Sequence, residues 1–134
     1  MAATGLLIAF YRDRGLVAEP RRPTRFIVRH STKVLPRAKF YDEAGTAIDL
    51  TGKTVRYILR DLTTNTLIVN RLTATNENQT TNIGEVYYQW LTAHVAAALD
   101  AIEEWEVDHG GGMTETFPVG LPQRVRIVED VDNA

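Results

Sequence analysis

Three histidines are the residues best suited to acid–base or metal chemistry, and they are widely separated along the chain. His30, His94 and His109 stand on different predicted elements, with no HxH or HxxxH spacing between them. A metal site built on them would need carboxylates brought alongside by folding. The sequence therefore predicts no metal site.

Nucleophilic and phosphate-binding residues are also scarce. Ser31 is the only serine, no GxSxG motif occurs, and cysteine is absent, so thiolate nucleophiles, disulfides and Cys-based zinc sites are excluded. The glycine run 110–112 lacks the following Lys-Ser/Thr of a phosphate loop. We predict that the protein is not an enzyme and has no catalytic or cofactor-binding residues. A site assembled from dispersed carboxylates is the alternative that stays open.

Carboxylates form two groups, each with an explanation that needs no catalysis. The first group surrounds a glycine-containing turn, at Asp42, Glu43 and Asp49. It lacks the ligand spacing of a calcium loop, and turn chemistry accounts for it. The second group alternates along one predicted strand, at Glu104, Glu106 and Asp108. These side chains are expected to share one solvent-exposed strand face.

Short strands separated by turns are predicted to position these residues. Period-two alternation of apolar and charged residues marks strands at 25–30, 37–41, 54–60, 67–70, 85–90, 103–108, 113–117 and 124–128. Seven or eight short strands with charged outer faces predict an antiparallel β-sandwich. One or two helical turns are predicted at 93–99, capped by Thr92. Large aromatic residues on the inward faces are predicted to form the core: Phe40, Tyr57, Tyr88, Trp90 and Trp105.

The composition is that of one soluble domain. The chain has 134 residues, of which 44% are hydrophobic and 24% charged, enough for one buried core. No apolar run approaches the ~20 residues of a membrane span. The first residues also lack the basic and apolar regions of a signal peptide. No membrane partner is predicted.

Charge is distributed unevenly along the chain. Residues 1–60 hold 12 Lys and Arg against 5 Asp and Glu, a net +7, whereas residues 61–134 hold 3 against 12, a net −9. Such asymmetry is typical of proteins that associate through complementary fields. The alternative is that neighbouring strands of opposite charge neutralise each other within one molecule.

Residues 1–23 are predicted to form an extended N-terminal arm. Pro20 and Pro23 bracket two arginines and favour an extended backbone without ladder donors. The predicted organisation is therefore an arm at 1–23, a sandwich domain at 24–130 and a tail at 131–134.

An ordered series of turn and strand residues resembles a phage structural family. It runs through Phe40-Tyr41-Asp42-Glu43-Ala44-Gly45, Asp49-Leu50-Thr51-Gly52, Leu59-Arg60-Asp61, Gly84-Glu85-Val86-Tyr87-Tyr88-Gln89-Trp90, Glu104-Trp105-Glu106-Val107 and Phe117-Pro118. Over residues 25–128 the chain is similar to the N-terminal domain of the baseplate upper protein family of tailed bacteriophages. The resemblance implies an immunoglobulin-like β-sandwich in a virion assembled in the host cytoplasm, and no catalytic residues.

The predicted function is that of a virion adaptor or decoration module that joins neighbouring subunits in a tail, baseplate, fibre base or capsid. Its partners would be other virion proteins and copies of itself, and nucleic acid ranks below protein as a partner of the arm. The candidate interface residues are Leu6, Ile8, Phe10, Tyr11, Arg12, Arg14, Arg21, Arg22, Glu104, Glu106 and Asp108. The alternative is a carbohydrate-binding module, for which Tyr41 and Tyr87 are the outward-facing aromatic candidates.

Overall fold

The computed structural model describes residues 4–13 and 21–129, and their regular structure is almost entirely β-strand. The strands are β1 (Leu7–Tyr11), β2 (Arg25–Val28), β3 (Arg37–Tyr41), β4 (Thr54–Asp61), β5 (Leu67–Thr73), β6 (Thr75–Asn76), β7 (Glu85–Tyr87), β8 (Leu99–Gly110), β9 (Met113–Phe117) and β10 (Gln123–Val128). One 3₁₀ helix covers Thr92–Val95. The predicted interface residue Arg14 and the predicted tail at 131–134 lie outside the described residues.

Two mixed sheets make up the fold. The four-stranded sheet has the order β1-β3-β7-β6, and the six-stranded sheet has the order β2-β10-β8-β4-β5, with β9 paired to β8. The long strand β8 pairs with β4 along one edge. Along its other edge it pairs with β10 over residues 99–103 and with β9 over residues 105–110. This arrangement is consistent with the predicted β-sandwich.

The core lies between the two sheets, where aromatic rings interlock. The ring of Phe40, on the four-stranded sheet, lies 4.8 Å from that of Phe117 and 6.0 Å from that of Trp105, both on the six-stranded sheet. Tyr57 stacks on Tyr88 at 4.9 Å. Such tilted and edge-on ring pairs add to the free energy of apolar burial. All five aromatic residues predicted to be core are buried: Phe40, Tyr57, Tyr88, Trp90 and Trp105.

The strand count and pairing differ from the prediction in two respects. Ten strands form rather than seven or eight, because 7–11 and 75–76 also enter a sheet. Two pairs are parallel, β1 with β3 and β2 with β10, so the sheets are not purely antiparallel. Alternation of side chains reports which face is buried but not the direction of the neighbouring strand.

The N-terminal strand is part of the sandwich, which corrects the prediction of a separate arm at 1–23. Residues 7–11 pair in register with β3, from Leu7 opposite Arg37 to Tyr11 opposite Tyr41. Ile8 is 3% exposed and Phe10 is fully buried. These two side chains therefore complete the core of their own molecule rather than bind a neighbouring subunit.

A buried ion pair within the six-stranded sheet also bonds to the start of the four-stranded sheet. Glu103 on β8 is fully buried, and its carboxylate accepts hydrogen bonds from Arg25, from the Tyr57 hydroxyl and from the Trp105 indole. The same guanidinium donates to the carbonyl of Leu6, 2.8 Å away, and to that of Arg37 at the start of β3. Arg25 thereby holds the start of the four-stranded sheet against the six-stranded one.

The segment after β7 forms one 3₁₀ turn rather than the predicted helix at 93–99. Its N-cap is Leu91, not Thr92. The ring Nδ1 of His94 accepts a hydrogen bond from the Leu91 backbone N–H, at 3.1 Å. This ring bond therefore satisfies a backbone donor at the start of the turn, where a capping hydroxyl was expected.

Candidate interaction site

The acidic face of β8 is largely neutralised within the molecule. Arg56, on the adjacent strand β4, lies 3.3 Å from Glu106 and 3.4 Å from Asp108. Arg71 on β5 also approaches Glu106, at 3.4 Å. Hydrogen bonds from the Gly110 backbone N–H and from Arg56 lower the pKa of Asp108. Of the two explanations for the charge asymmetry, pairing between neighbouring strands therefore holds for this face.

Glu104 is the remaining member of the predicted acidic interface. It is half-buried and lies opposite Ile58 in the β4–β8 ladder. It forms no ion pair with the residues that the structure describes. It is thus the one carboxylate of this group that could accept an outside cation.

Arg12 is engaged inside its own molecule. Its guanidinium donates two hydrogen bonds to Glu115 on β9, at 3.0 and 2.9 Å, and a longer one of 3.3 Å to Glu43. His109 also lies 2.5 Å from Glu115. The hydrogen bond to Glu115 raises the pKa of Arg12, against the opposing effect of partial burial. This cluster fastens the end of β1 to the β8–β9 hairpin.

The outer face of the four-stranded sheet carries the exposed part of the predicted N-terminal interface. Tyr11 stacks on Tyr41 with ring centroids 4.8 Å apart, and the Lys39 ammonium lies 5.6 Å from the Tyr41 ring centroid. Tyr87 lies on the same face, opposite Arg37. Leu6, just before β1, is half-exposed. The structure thus brings Tyr41 and Tyr87 onto one face and adds Tyr11 to them.

Arg21 and Arg22 lie at a basic cavity, the second place where predicted interface residues gather. The cavity has a volume of about 330 Å³ and is lined by Arg21, Arg22, Thr24, Leu121, Pro122 and Arg124. Arg21 and Arg124 are exposed, and neither is ion-paired within the described chain. Three guanidinium groups around one concave surface favour an anionic ligand.

Buried Gln123 positions one wall of this basic cavity. Its side-chain amide donates to the carbonyl of Pro23 at 2.9 Å, and its amide oxygen accepts from Arg22 at 3.2 Å. The Arg22 guanidinium also bonds to the Leu121 carbonyl and lies over the ring of buried Phe10, 5.2 Å from its centroid. The guanidinium of Arg22 is therefore held in place, whereas Arg21 and Arg124 are exposed to solvent.

An open sheet edge lies next to the basic cavity. Strand β2 pairs with β10 on one side and has no strand neighbour on the other among the described residues. Phe26 is 61% exposed and Val28 is 46% exposed. Arg126 lies opposite Phe26 in the β2–β10 pair and forms an exposed ion pair with Asp100 at 3.3 Å. A surface cavity of about 620 Å³ lies along this side and is lined in part by Phe26 and Arg126.

Sequence reasoning missed Phe26, Gln123 and Arg124 as surface or positioning residues. The alternation at 25–28 is ambiguous, because apolar residues occur on both of its faces. The structure turns Ile27 inward and Phe26 outward, and charged Arg25 shares the inner face with Ile27 because it pairs with buried Glu103. The edge position of β2 did have a signal in the sequence, Pro23 just before the strand, since proline is typical of edge strands.

The three histidines do not come together in the structure. His109 pairs with Glu115, and His94 bonds to its own turn, while His30 takes a left-handed backbone with a φ of 69°. Within residues 4–13 and 21–129, no three acidic or histidine side chains are grouped to hold a metal ion. No helix in those ranges has the length and apolarity needed to cross a bilayer.

The fold is similar to that of a known phage domain. The likeness is to the N-terminal domain of phage TP901-1 ORF48, with a TM-score of 0.54 and 11% sequence identity, and it covers 95% of this chain and 98% of that one. No protein-family model matches the sequence, and no curated protein matches it. At this identity the likeness concerns the fold alone, and it extends over nearly all of both chains.

Proposed function

We propose that this protein is a structural component of a phage virion, an adaptor that joins neighbouring subunits in a tail, baseplate, fibre base or capsid. The role is non-catalytic. The observation that carries the joining role is the open edge of β2, where Phe26 and Val28 are exposed beside the basic cavity. The virion setting is supported by the fold likeness to the N-terminal domain of phage TP901-1 ORF48.

An exposed sheet edge is a natural place for another chain to bind. Unpaired backbone groups along such an edge accept an extended segment as a further strand. Large exposed apolar side chains next to it are typical of interaction sites rather than of free surfaces. The immunoglobulin-like class of the sandwich and the membership in the baseplate upper protein family remain predictions within this proposal.

The virion role is tested on purified particles of a phage that encodes this chain. Mass spectrometry of gradient-purified virions is expected to detect the protein, and gold-labelled antibodies are expected to mark one fixed place on each particle. Particles that are complete without the protein would overturn the proposal.

The joining surface is tested with matched substitutions in the same phage. Phe26→Ser together with Val28→Ser should lower incorporation into particles, because the apolar edge is lost. Met113→Ser is the control, since Met113 is also largely exposed but lies on the β8–β9 hairpin. Equal incorporation of both variants would exclude the β2 edge as the joining surface.

A second candidate function is carbohydrate binding, which the outer face of the four-stranded sheet favours. Tyr11, Tyr41 and Tyr87 share that face, and the first two are stacked. Aromatic rings on a sheet surface suit the apolar faces of sugars. A glycan array with the wild-type protein and with Tyr87→Ala tests this function. Binding that Tyr87→Ala abolishes would support it, and no binding by the wild type would exclude it.

A further inference from the structure

Two adjacent strands of the six-stranded sheet carry opposite charge on the outer face of that sheet. Because the alternate residues of β10 and β8 are buried, Arg124 and Arg126 of β10 point outward, as do Asp100 and Glu104 of β8. We call the two arginines the basic strip and the two carboxylates the acidic strip. Ile102 separates the two carboxylates and lies opposite Arg124. The two strips therefore run side by side, one strand apart.

The charges of both strips are available to a partner. Arg124 is exposed and Glu104 is half-buried, and neither forms an ion pair with a residue that the structure describes. Arg126 and Asp100 pair with each other, but their side chains are 60% and 59% exposed. An ion pair that is so open to water contributes little to the stability of its own molecule. It can therefore be shared with a further pair of charges.

We propose that two copies of the chain pack the outer faces of their six-stranded sheets together, around a two-fold axis that runs along the strands between β8 and β10. Rotation about this axis places the basic strip of each copy over the acidic strip of the other. Arg124 of the second copy then lies above Ile102 of the first, with Asp100 to one side of it and Glu104 to the other. The contact deepens the proposed function, on which it rests, by naming a second copy as one partner.

Charge complementarity identifies this occupant. A partner for the face must present a cation over each carboxylate and a carboxylate over each cation, in the reverse order across the strands. The same face turned by half a revolution supplies that order. Arginine binds carboxylates in paired geometry, so the contact gains direction as well as attraction.

Apolar side chains at the two ends of one row of this face support the same arrangement. Phe26 lies opposite Arg126 and is 61% exposed. At the other end of the row, Leu62 donates its backbone N–H to the carbonyl of Asp100 and is 43% exposed. From β2 to the end of β4 the row is thus apolar, basic, acidic and apolar. The two-fold rotation matches apolar with apolar and cation with anion.

The surface cavity of about 620 Å³ lies on the same row. Phe26, Arg126 and Asp100 all line it. The cavity gives the ring of Phe26 from the second copy space to enter. The contact therefore also covers an exposed aromatic side chain, which is typical of interaction sites.

A contact of this kind is isologous. Both copies use the same surface, so association stops at a dimer. Two sheets that pack in this way keep their strands nearly aligned. The contact uses side chains of the outer face and leaves the backbone groups at the open edge of β2 unpaired. Because β2 lies to one side of the axis in each copy, the dimer presents two such edges, which suits an adaptor that joins two neighbours.

The experiment is sedimentation equilibrium on the full chain and its variants, at protein concentrations up to about 1 mM. The basic-strip variant is Arg124→Glu, and the acidic-strip variant is Glu104→Arg. The matched control is Lys33→Glu, which makes the same change of charge as Arg124→Glu at an exposed residue between β2 and β3. Circular dichroism checks that each variant is folded.

The wild type and the control are expected to form dimers. Each strip variant alone is expected to dimerise at least about tenfold more weakly, because like charges then face each other at both symmetric contacts. An equal mixture of the two strip variants should dimerise about as tightly as the wild type, because a cation again faces a carboxylate at both contacts.

Four results would overturn the contact: a wild type that stays monomeric, strip variants that dimerise as tightly as the wild type, a control that is weakened as much as the strip variants, or a mixture that stays monomeric. These results are separate from the virion test. A monomeric protein that is still present in virions removes only this contact. A dimeric protein that is absent from virions removes only the proposed function.

Discussion

The carboxylate of Glu103 accepts two hydrogen bonds from the guanidinium of Arg25, with nitrogen–oxygen distances of 2.9 and 3.0 Å. Both side chains are almost completely buried, at 0% and 2% exposed. A buried pair of this kind costs desolvation energy on both sides, and its bonds offset that cost only while both partners are present. Burial, together with the nearby Glu103 charge, also raises the pKa of Tyr57, so its hydroxyl stays a hydrogen-bond donor.

Removing one partner of this pair should therefore destabilise the fold strongly. Glu103→Gln is expected to lower the free energy of unfolding by about 3 kcal/mol, because Arg25 keeps a buried charge without a counter-charge. Urea unfolding measures the loss. The control is Asp100→Asn, which breaks the exposed ion pair with Arg126 and should cost less than about 1 kcal/mol. The double variant Arg25→Met/Glu103→Met should lose less free energy of unfolding than the sum of the losses of Arg25→Met and Glu103→Met measured singly. A double loss equal to that sum would contradict the coupling between the two side chains.

Because β1 is buried, truncating its inward side chains should destabilise the fold, whereas the same change in a detachable arm would leave stability unchanged. Phe10→Ala should lower the free energy of unfolding by about 3 to 5 kcal/mol, because it leaves a cavity in the core. Leu7→Ala, on the same strand but facing outward, should cost much less. Thermal and urea unfolding compare the two. A Phe10→Ala variant as stable as Leu7→Ala would mean that residues 7–11 do not pack on their own sandwich.

Gly84 and Gly45 have nearly the same φ, but only at Gly84 would an added Cβ collide with a neighbouring strand. Comparing alanine substitutions at the two positions therefore distinguishes the cost of backbone strain from the cost of steric overlap. Gly84 has a φ of 82° and Gly45 a φ of 84°. A Cβ at Gly84 would lie 2.9 Å from the Phe40 carbonyl oxygen, whereas one at Gly45 would meet nothing within 4 Å. Gly45→Ala should therefore cost about 1 kcal/mol from backbone strain alone. Gly84→Ala should cost clearly more in the same unfolding experiment, and equal losses would contradict the close approach to β3.

The contact between β1 and the β8–β9 hairpin should depend on pH. Partial burial of Glu115 favours its neutral form, but hydrogen bonds from Arg12 and His109 outweigh burial and lower its pKa below the usual 4.5. A carboxyl pKa that is lower in the folded state stabilises the fold above the unfolded value. That stabilisation disappears as pH falls through the folded value.

Glu115→Gln is the variant that tests this dependence. It should be less stable than the wild type above about pH 5 and should approach wild-type stability as pH falls to about 2. Urea unfolding at a series of pH values gives the difference between the two proteins. A difference that stays constant over the whole range would exclude the ionised Glu115 as its source.

The inward face was predictable from sequence for strands in which apolar and charged residues alternate cleanly, because that alternation reports burial directly, but it was not predictable for β2. Val55, Tyr57 and Leu59 illustrate this, and all three are buried as expected. Strand direction was not predictable in this way. The parallel pairs join residues about 30 and about 100 positions apart, and side-chain alternation is the same for either direction.

The role of the N-terminal residues was the main error, and its cause is physical. The stretch at 7–11 is apolar and β-prone, but Pro20 and Pro23 and the intervening arginines indicated a separate extended segment. The structure shows that β1 enters the sheet before that segment begins. Of the predicted interface residues that the structure describes, those that remain available to a partner lie near the basic cavity, on the outer face of the four-stranded sheet and at Glu104. The charge on Glu103 gave no sign that it would be buried, because its partner Arg25 lies 78 positions away.

That separation has a consequence for synthesis. Arg25 leaves the ribosome 78 residues before Glu103, which at ordinary translation rates is about 4 to 16 seconds. During that time the guanidinium has no carboxylate to meet and must stay hydrated, so the interior cannot close around it. Strands β1 and β2 therefore cannot pack into the finished interior until β8 emerges, and both edges of β2 are open to other chains until β10 follows and pairs with one of them.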